Sequence, residues 1–435
     1  MSLSSEVNPP EAAELSARPS GVAKVRDVPG KPQSPWFIPL FLVAWFGANL
    51  VALTSSGVSV PLLLNEMVPE SKNQVLAVIV GIGGVVVMLV TPLAGRLSDR
   101  SMSRWGIRRP FILGGSIIGS IGIMVIATAA NPVMIGVGWA VAQIGFGAAA
   151  ACIQALFADQ IPTYIRARVS ALFGISSSLA LIVGSFLIGS LPAGPIWWFG
   201  VPVLIGLLAT VGLVLVLRDI VRTERPAPLD LRGLLSSYWV NPIKFPDFAW
   251  AWWCRLLVTM SIVPIATFML NYLIDELKVP SDQAATTVGT VLTVYSVAAL
   301  LTTMISAWLS DRTGRRKVFI WTSVLLTAIG LSVAIAAHDI PQFLIGIAIA
   351  GMAQGAFISV DVALMTEVLP GKAEAGKDLG VVALSYLLAQ VLVPVISVPL
   401  LAIGGGASNY RALFIAAVVM AVLGALCVLP IKKVR

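Results

Sequence analysis

Residues 95–110 read Gly-Arg-Leu-Ser-Asp-Arg-Ser-Met-Ser-Arg-Trp-Gly-Ile-Arg-Arg-Pro, and residues 309–317 read Leu-Ser-Asp-Arg-Thr-Gly-Arg-Arg-Lys. Leu97-Ser98-Asp99-Arg100 thus returns as Leu309-Ser310-Asp311-Arg312, 212 positions on. Each copy is a short charged island between long apolar runs. A second echo supports the first. Ala155-Leu156, Asp159 and Pro162 return as Ala363-Leu364, Glu367 and Pro370 at an offset of 208. Two charged landmarks that recur at matching places predict a duplicated chain.

The runs around these islands set the class. From Trp36 onward, apolar stretches of ~20 residues recur, the length that crosses ~30 Å of hydrocarbon. Twelve are predicted, at about 36–60, 75–95, 110–130, 133–157, 169–191, 196–217, 248–273, 284–308, 318–337, 343–366, 379–401 and 411–430. They are continuous rather than alternating, which excludes a membrane β-barrel. Composition agrees: of 435 residues 57% are hydrophobic and only 11% charged, with mean hydropathy +0.92. A water-soluble globule of this size needs far more polar surface. The expected fold is an all-α membrane protein of twelve transmembrane helices in two parallel six-helix repeats.

The predicted organisation is a disordered cytoplasmic tail over 1–35, a first bundle over 36–217 and a linker over 218–247. A second bundle over 248–430 and a tail over 431–435 follow. In the linker Leu229, Leu231, Leu234, Leu235, Tyr238 and Trp239 fit either a short interfacial helix or a plain connector. Of the 29 Lys and Arg residues, all but Lys72, Arg255, Lys278 and Arg411 fall on the side of the termini. Such asymmetry predicts both termini in the cytoplasm and a multi-pass protein of the inner or plasma membrane.

Several function classes fall away. The net charge of +8 lies in gaps between apolar runs, which argues against nucleic-acid binding. Three cysteines sit inside apolar stretches and there is one histidine, so no metal, cofactor or disulfide framework is expected. No phosphate-binding loop is present, so ATP is not the expected energy source, and an enzyme is not expected.

An ionisable group inside lipid costs at least ~2.5–3.5 kcal/mol at mid-helix. Two lie clearly within spans. Arg255 is seven residues into the seventh and Asp361 about five from the cytoplasmic end of the tenth, depths of ~10 and ~8 Å. Their similar depth predicts that they face each other or share a cavity, as a proton switch or as a static salt bridge. Asp159 and Glu367, at matching helix ends, are further proton-coupling candidates; Asp159 also fits a solvated carboxylate paired with Arg166 or Arg168. Polar stripes mark candidate substrate ligands: Trp45, Asn49 and Ser56 on helix 1, Gln143 and Gln154 on helix 4, Gln354 on helix 10, and Tyr386 and Gln390 on helix 11. Amides and rings suit a hydroxyl-rich solute, although helix–helix hydrogen bonding explains any one of them.

These residues resemble the major facilitator superfamily over roughly 36–430. Its loop signature, Gly-x-x-x-Asp-Arg/Lys-x-Gly-Arg-Arg/Lys, is matched by Gly95 through Arg100 with Gly106, Arg108 and Arg109, and again by Asp311 through Lys317. The longer first copy is similar to that loop in sucrose and other glycoside proton symporters. Two signatures of drug–proton antiporters are absent: no Arg precedes Gln143-Ile144-Gly145 on helix 4, and Gly184-Ser185-Phe186 lacks the Gly-Pro pair. The resemblance implies alternating access and a cytoplasmic latch formed by Asp99, Arg100, Arg104, Gly106, Arg108, Arg109, Asp311, Arg312, Gly314, Arg315 and Arg316. It also implies a small-molecule substrate, H+ as coupling ion and a monomer in the bilayer. Proton-coupled sugar or glycoside symport is the leading expectation. A proton-driven multidrug or metabolite antiporter is the second, and a non-transporting receptor of the same fold the third.

Overall fold

A computed structural model describes residues 34–222, 242–313, 316–368, 375–404 and 408–431. The sequence-predicted terminal tails, apart from a few residues, and the proposed linker helix lie outside the described residues. Among the described residues twelve helices follow in order: α1 (Phe37–Met67), α2 (Lys72–Asp99), α3 (Arg109–Ala127), α4 (Pro132–Gln160), α5 (Thr163–Ser190) and α6 (Pro195–Val216). The second set is α7 (Pro246–Asp275), α8 (Ser281–Thr313), α9 (Arg316–Ile335), α10 (Ile340–Val368), α11 (Ala375–Leu401) and α12 (Tyr410–Leu426). Eleven are long and apolar enough to cross a membrane, and α12 is a shorter apolar helix. The described residues contain no strand.

Local signals set the helix starts. Proline stands in the first turn of α3, α4, α6 and α7, where its missing N–H costs nothing. Asn131 and Asn409 accept from Met134 N and Ala412 N at 3.0 Å, capping α4 and α12. Several helices overrun the apolar spans read from sequence: α2 and α8 add polar turns at both ends, and α1 runs on to Met67. Helical hydrogen bonding continues into the interface, where hydropathy has already fallen. Helix α1 also contains a π turn over Ser55–Ser59, a local widening that span-reading does not detect.

The duplication is visible as repeated close packing. Side chains built on Gly122 and Gly138 would press into each other's helix backbone, joining α3 to α4. Gly330 and Gly346, each 208 residues later, do the same between α9 and α10. Gly147 faces Val87, Val90 and Thr91 on α2; Gly355 faces Ala299, Thr302 and Thr303 on α8, the latter three each 212 residues after their counterparts. Gly206 packs on the Gly47 carbonyl and Val51 of α1, as Gly424 packs on the Cys254 carbonyl and Val258 of α7. Glycine permits these approaches because lipid provides no hydrophobic drive, so helices associate through close contact.

Between the bundles, α2 packs on α11 and α5 on α8. Gly81 and Gly84 lie against Pro394 and Gln390, while Gly189 and Phe186 meet Thr286 and Gly289. These contacts occupy the middle of the helices and the face away from the termini, called the far face below.

Candidate functional site

Within the second bundle, Arg255 Nη1 on α7 donates to Asp361 Oδ2 on α10 at 2.6 Å. The bond joins two charges inside apolar helices, where each alone would be strongly disfavoured. The carboxylate side chain is 9% exposed and the guanidinium side chain 25%. Asp361 Oδ1 is buried with no hydrogen-bond partner among the described residues, which leaves a free acceptor position for a proton.

The duplication gives this pair its meaning. Arg255 follows Cys254, whose carbonyl occupies the place of the Gly47 carbonyl, so its counterpart in α1 is Ala48. The 208-residue offset of α10 makes Ile153 the counterpart of Asp361. Ile153 is fully buried in an apolar cluster with Cys152 and Leu156. The same helix contact is therefore built without charge in the first bundle.

Two turns from Asp361 on α10, Gln354 lines a small cavity between the helices of the second bundle. Ser261, Tyr295, Ser323 and Thr327 line it as well. It offers about 20 Å³ to the centre of a water molecule, room for one. Gln354 Oε1 is buried with no hydrogen-bond partner among the described residues.

The other sequence-predicted substrate ligands lie on several helices. Trp45 stacks on Phe173 with ring centroids 4.0 Å apart and donates its Nε1–H to Ser177 Oγ at 2.9 Å, tying α1 to α5. Asn49 and Ser56 donate to the Trp45 and Leu53 carbonyls of their own helix. Gln143 is half-buried and Gln154 exposed on α4. Tyr386 is 49% exposed on α11, and Gln390 is half-buried where its carbonyl approaches Gly84. Sequence reading missed Trp139, one turn before Gln143. Its indole fills the space left by Gly83, and its buried Nε1–H has no partner among the described residues.

At the termini face the first loop copy forms a network inside its own bundle. Arg108 Nη2 reaches Asp99 Oδ1 at 2.5 Å and Asp159 Oδ2 at 3.0 Å, and Nη1 donates to Ser98 Oγ at 3.1 Å. Burial works against the Arg108 charge, but the two carboxylates outweigh it and hold the guanidinium above its ordinary value. Asp159 therefore pairs with Arg108, while Arg166 donates to the Ala158 and Ile161 carbonyls. Asp219, which sequence reading did not single out, accepts from Arg108 N at 2.6 Å and Arg109 N at 2.8 Å and caps α3. Burial pushes its carboxyl up despite these backbone donors. Gly106 has φ +107°, and any side chain there would strike Asp219.

Arg104 is exposed, and Arg100, Arg109 and Arg316 are half-buried. The Arg312 guanidinium lies 5.5 Å from the Trp308 ring centroid. Gly314 and Arg315, with the side chains of Asp311 and Glu367, lie outside the described residues. No group of His, Cys, Asp and Glu among the described residues could hold a metal ion.

Two six-helix bundles related by duplication, each closed by its own packing, define a helical membrane protein built from two repeats. Residues 40–285 and 256–435 match the family model of the Major Facilitator Superfamily, and the chain belongs to that superfamily. Its relatives by fold and sequence are transporters, not enzymes. The purine ribonucleoside efflux pump NepI of Salmonella paratyphi A is 29% identical over 187 residues, 43% of each chain. The match thus spans less than half the length of that relative. Among solved structures, the nucleoside transporter NupG superposes with TM-score 0.72 at 12% identity, over 91% of this chain and 100% of that one. A bacterial homolog of the human lysosomal transporter Spinster, inward-facing and occupied, gives TM-score 0.69 at 15% identity, over 93% and 98%.

Proposed function

We propose that this chain is a proton-coupled transporter of a small hydroxyl-bearing solute with a planar ring, of the nucleoside class. It works by alternating access in the inner or plasma membrane, with both termini in the cytoplasm. The observation that carries this reading is the Arg255–Asp361 bond, at positions whose counterparts in the first bundle are the uncharged Ala48 and Ile153. A pair the fold does not need is retained for what its charges do. When Arg255 moves off, the half-satisfied carboxylate takes up a proton rather than remain a lone buried anion.

The solute class has two supports. The curated relatives are named for purine ribonucleosides. Gln143, Gln390 and Tyr386 offer amides and a ring face suited to a ribose and a base. Sugar or glycoside symport is a second reading, favoured by the long Asp99–Arg109 loop; a nucleoside is itself a glycoside. The Asp99–Arg108–Asp159 network, with the second loop copy that begins at Asp311 and Arg312, serves as the cytoplasmic latch of the outward-open form.

Proteoliposomes carrying a pH gradient test this. A radiolabelled purine ribonucleoside is expected to accumulate against its gradient and sucrose is not; collapsing the pH gradient abolishes the accumulation. Accumulation of sucrose alone would establish the second reading. Accumulation of the nucleoside that survives collapse would overturn proton coupling.

A further inference from the structure

At the far face a polar cluster crosses between the bundles. Lys72 Nζ, at the start of α2, reaches Asp275 Oδ1 at the end of α7 at 2.5 Å and Asn65 Oδ1 on α1 at 2.6 Å. Asn65 donates to Asn271 Oδ1 at 2.7 Å, and Asn271 donates to Asn73 Oδ1 at 2.7 Å. Asn73 in turn donates to Tyr410 Oη at 2.9 Å and Ser408 Oγ at 3.2 Å. The Tyr410 hydroxyl donates to Asp275 Oδ2 at 2.7 Å, which closes a ring of bonds. Lys72 is 6% exposed, and Asn73, Asn271 and Tyr410 are buried.

We infer that Lys72 and Asp275, supported by Asn65, Asn73, Asn271 and Tyr410, form the gate that seals the solute pathway at the far face. Their pairing positions the two bundles for the transport cycle. The inference rests on the alternating-access reading above.

The chemistry of this seam differs from that of the seams inside each bundle. There, glycine lets backbones touch, and nothing would be gained by separation. Here the partners from the two bundles are ions and amides. Closed, they satisfy one another; opened, each regains water, so the separated state is tolerable as well. A seam with two acceptable states is what a gate requires. The ring is also cooperative: Asn271 spends its amide oxygen on Asn65 of α1 and an amide hydrogen on Asn73 of α2, so parting α7 from the first bundle breaks both bonds together. Lys72 and Asp275 supply the charge that draws the surfaces together on closing.

The test reads the gate without a solute. In a protein whose Cys152, Cys254 and Cys427 are replaced by serine, Thr267→Cys puts one thiol a turn below Asn271, at a position 9% exposed. A membrane-impermeant maleimide is applied to the far face in right-side-out vesicles. Labelling is expected to be slow with the gate intact and to rise roughly tenfold with Lys72→Met or Asp275→Asn, the factor that about 1.4 kcal/mol represents. The reversed pair, Lys72→Asp with Asp275→Lys, is expected to bring labelling back toward the starting rate, which a misfolded protein would not do. Unchanged labelling in both single variants, each monodisperse after purification, would overturn the gate. So would fast labelling that the reversed pair leaves fast. Solute flux measured on the same preparations tests the transport reading separately: absent flux with gated labelling would sink that reading and leave the gate standing.

Discussion

Replacing Asp361 with Asn separates a working proton site from a static pair. The change keeps the shape of the side chain and removes its charge, leaving Arg255 opposite a neutral amide across what was a 2.6 Å bond. Removing one member of a buried pair costs about 3–5 kcal/mol. The Arg255 side chain is 25% exposed, so water partly compensates its charge and about 2–3 kcal/mol is expected. Asp361→Asn is therefore predicted to lower the thermal midpoint of the purified protein. Adding Arg255→Gln replaces the stranded charge with an amide pair and is predicted to recover most of that loss. Transport should behave differently. A gradient of one pH unit stores about 1.36 kcal/mol per proton, enough for roughly tenfold accumulation at one proton per solute. Both the single and the double variant are expected to reach an accumulation ratio near one. Counterflow exchange, which needs no net proton movement, should persist in the double variant. Full accumulation by the Arg255→Gln/Asp361→Asn protein would refute the argument, because it would show that the pair only neutralises itself.

Three further outcomes follow from the same geometry. Asp219→Ala leaves the Arg108 and Arg109 amides at the start of α3 without their acceptor and is expected to cost about 1–2 kcal/mol, while Asp219→Asn, whose amide oxygen can still accept, costs less; thermal unfolding compares them. Gly138→Ala and Gly346→Ala each drive a methyl group to within 2.8 Å of a facing backbone oxygen, so each is expected to cost about 1–3 kcal/mol. Similar falls in detergent stability for the two would confirm their equivalence, and a harmless change at either would break it. Asp99→Asn weakens the hold on Arg108 and is expected to slow turnover several-fold while solute affinity in a binding assay stays within about twofold, since Asp99 is exposed and its tie to Arg108 lies at the termini face. An equal loss of affinity would count against the latch.

Much of this protein was readable from the chain alone because the bilayer makes structure local. A run of apolar residues long enough to cross hydrocarbon must satisfy its backbone within itself, so composition determined the helices, their number and their approximate limits. The 212- and 208-residue echoes around Asp99 and Asp159 established the duplication, and the depths of Arg255 and Asp361 singled out two charges that the folded chain brings into contact. Other features depended on the tertiary structure. That Arg255 and Asp361 stand where the first bundle has Ala48 and Ile153 emerges only when packing aligns the helices, since the offset differs from one helix to the next. Asp219 looks like an ordinary loop acid until α3 begins above it. Lys72 and Asp275, 203 residues apart, look like interfacial residues at the ends of two spans, and no local pattern links them. Their bond exists because two independently packed bundles dock face to face, and the residues that meet at such a seam are chosen by geometry across the whole chain rather than by any window of it.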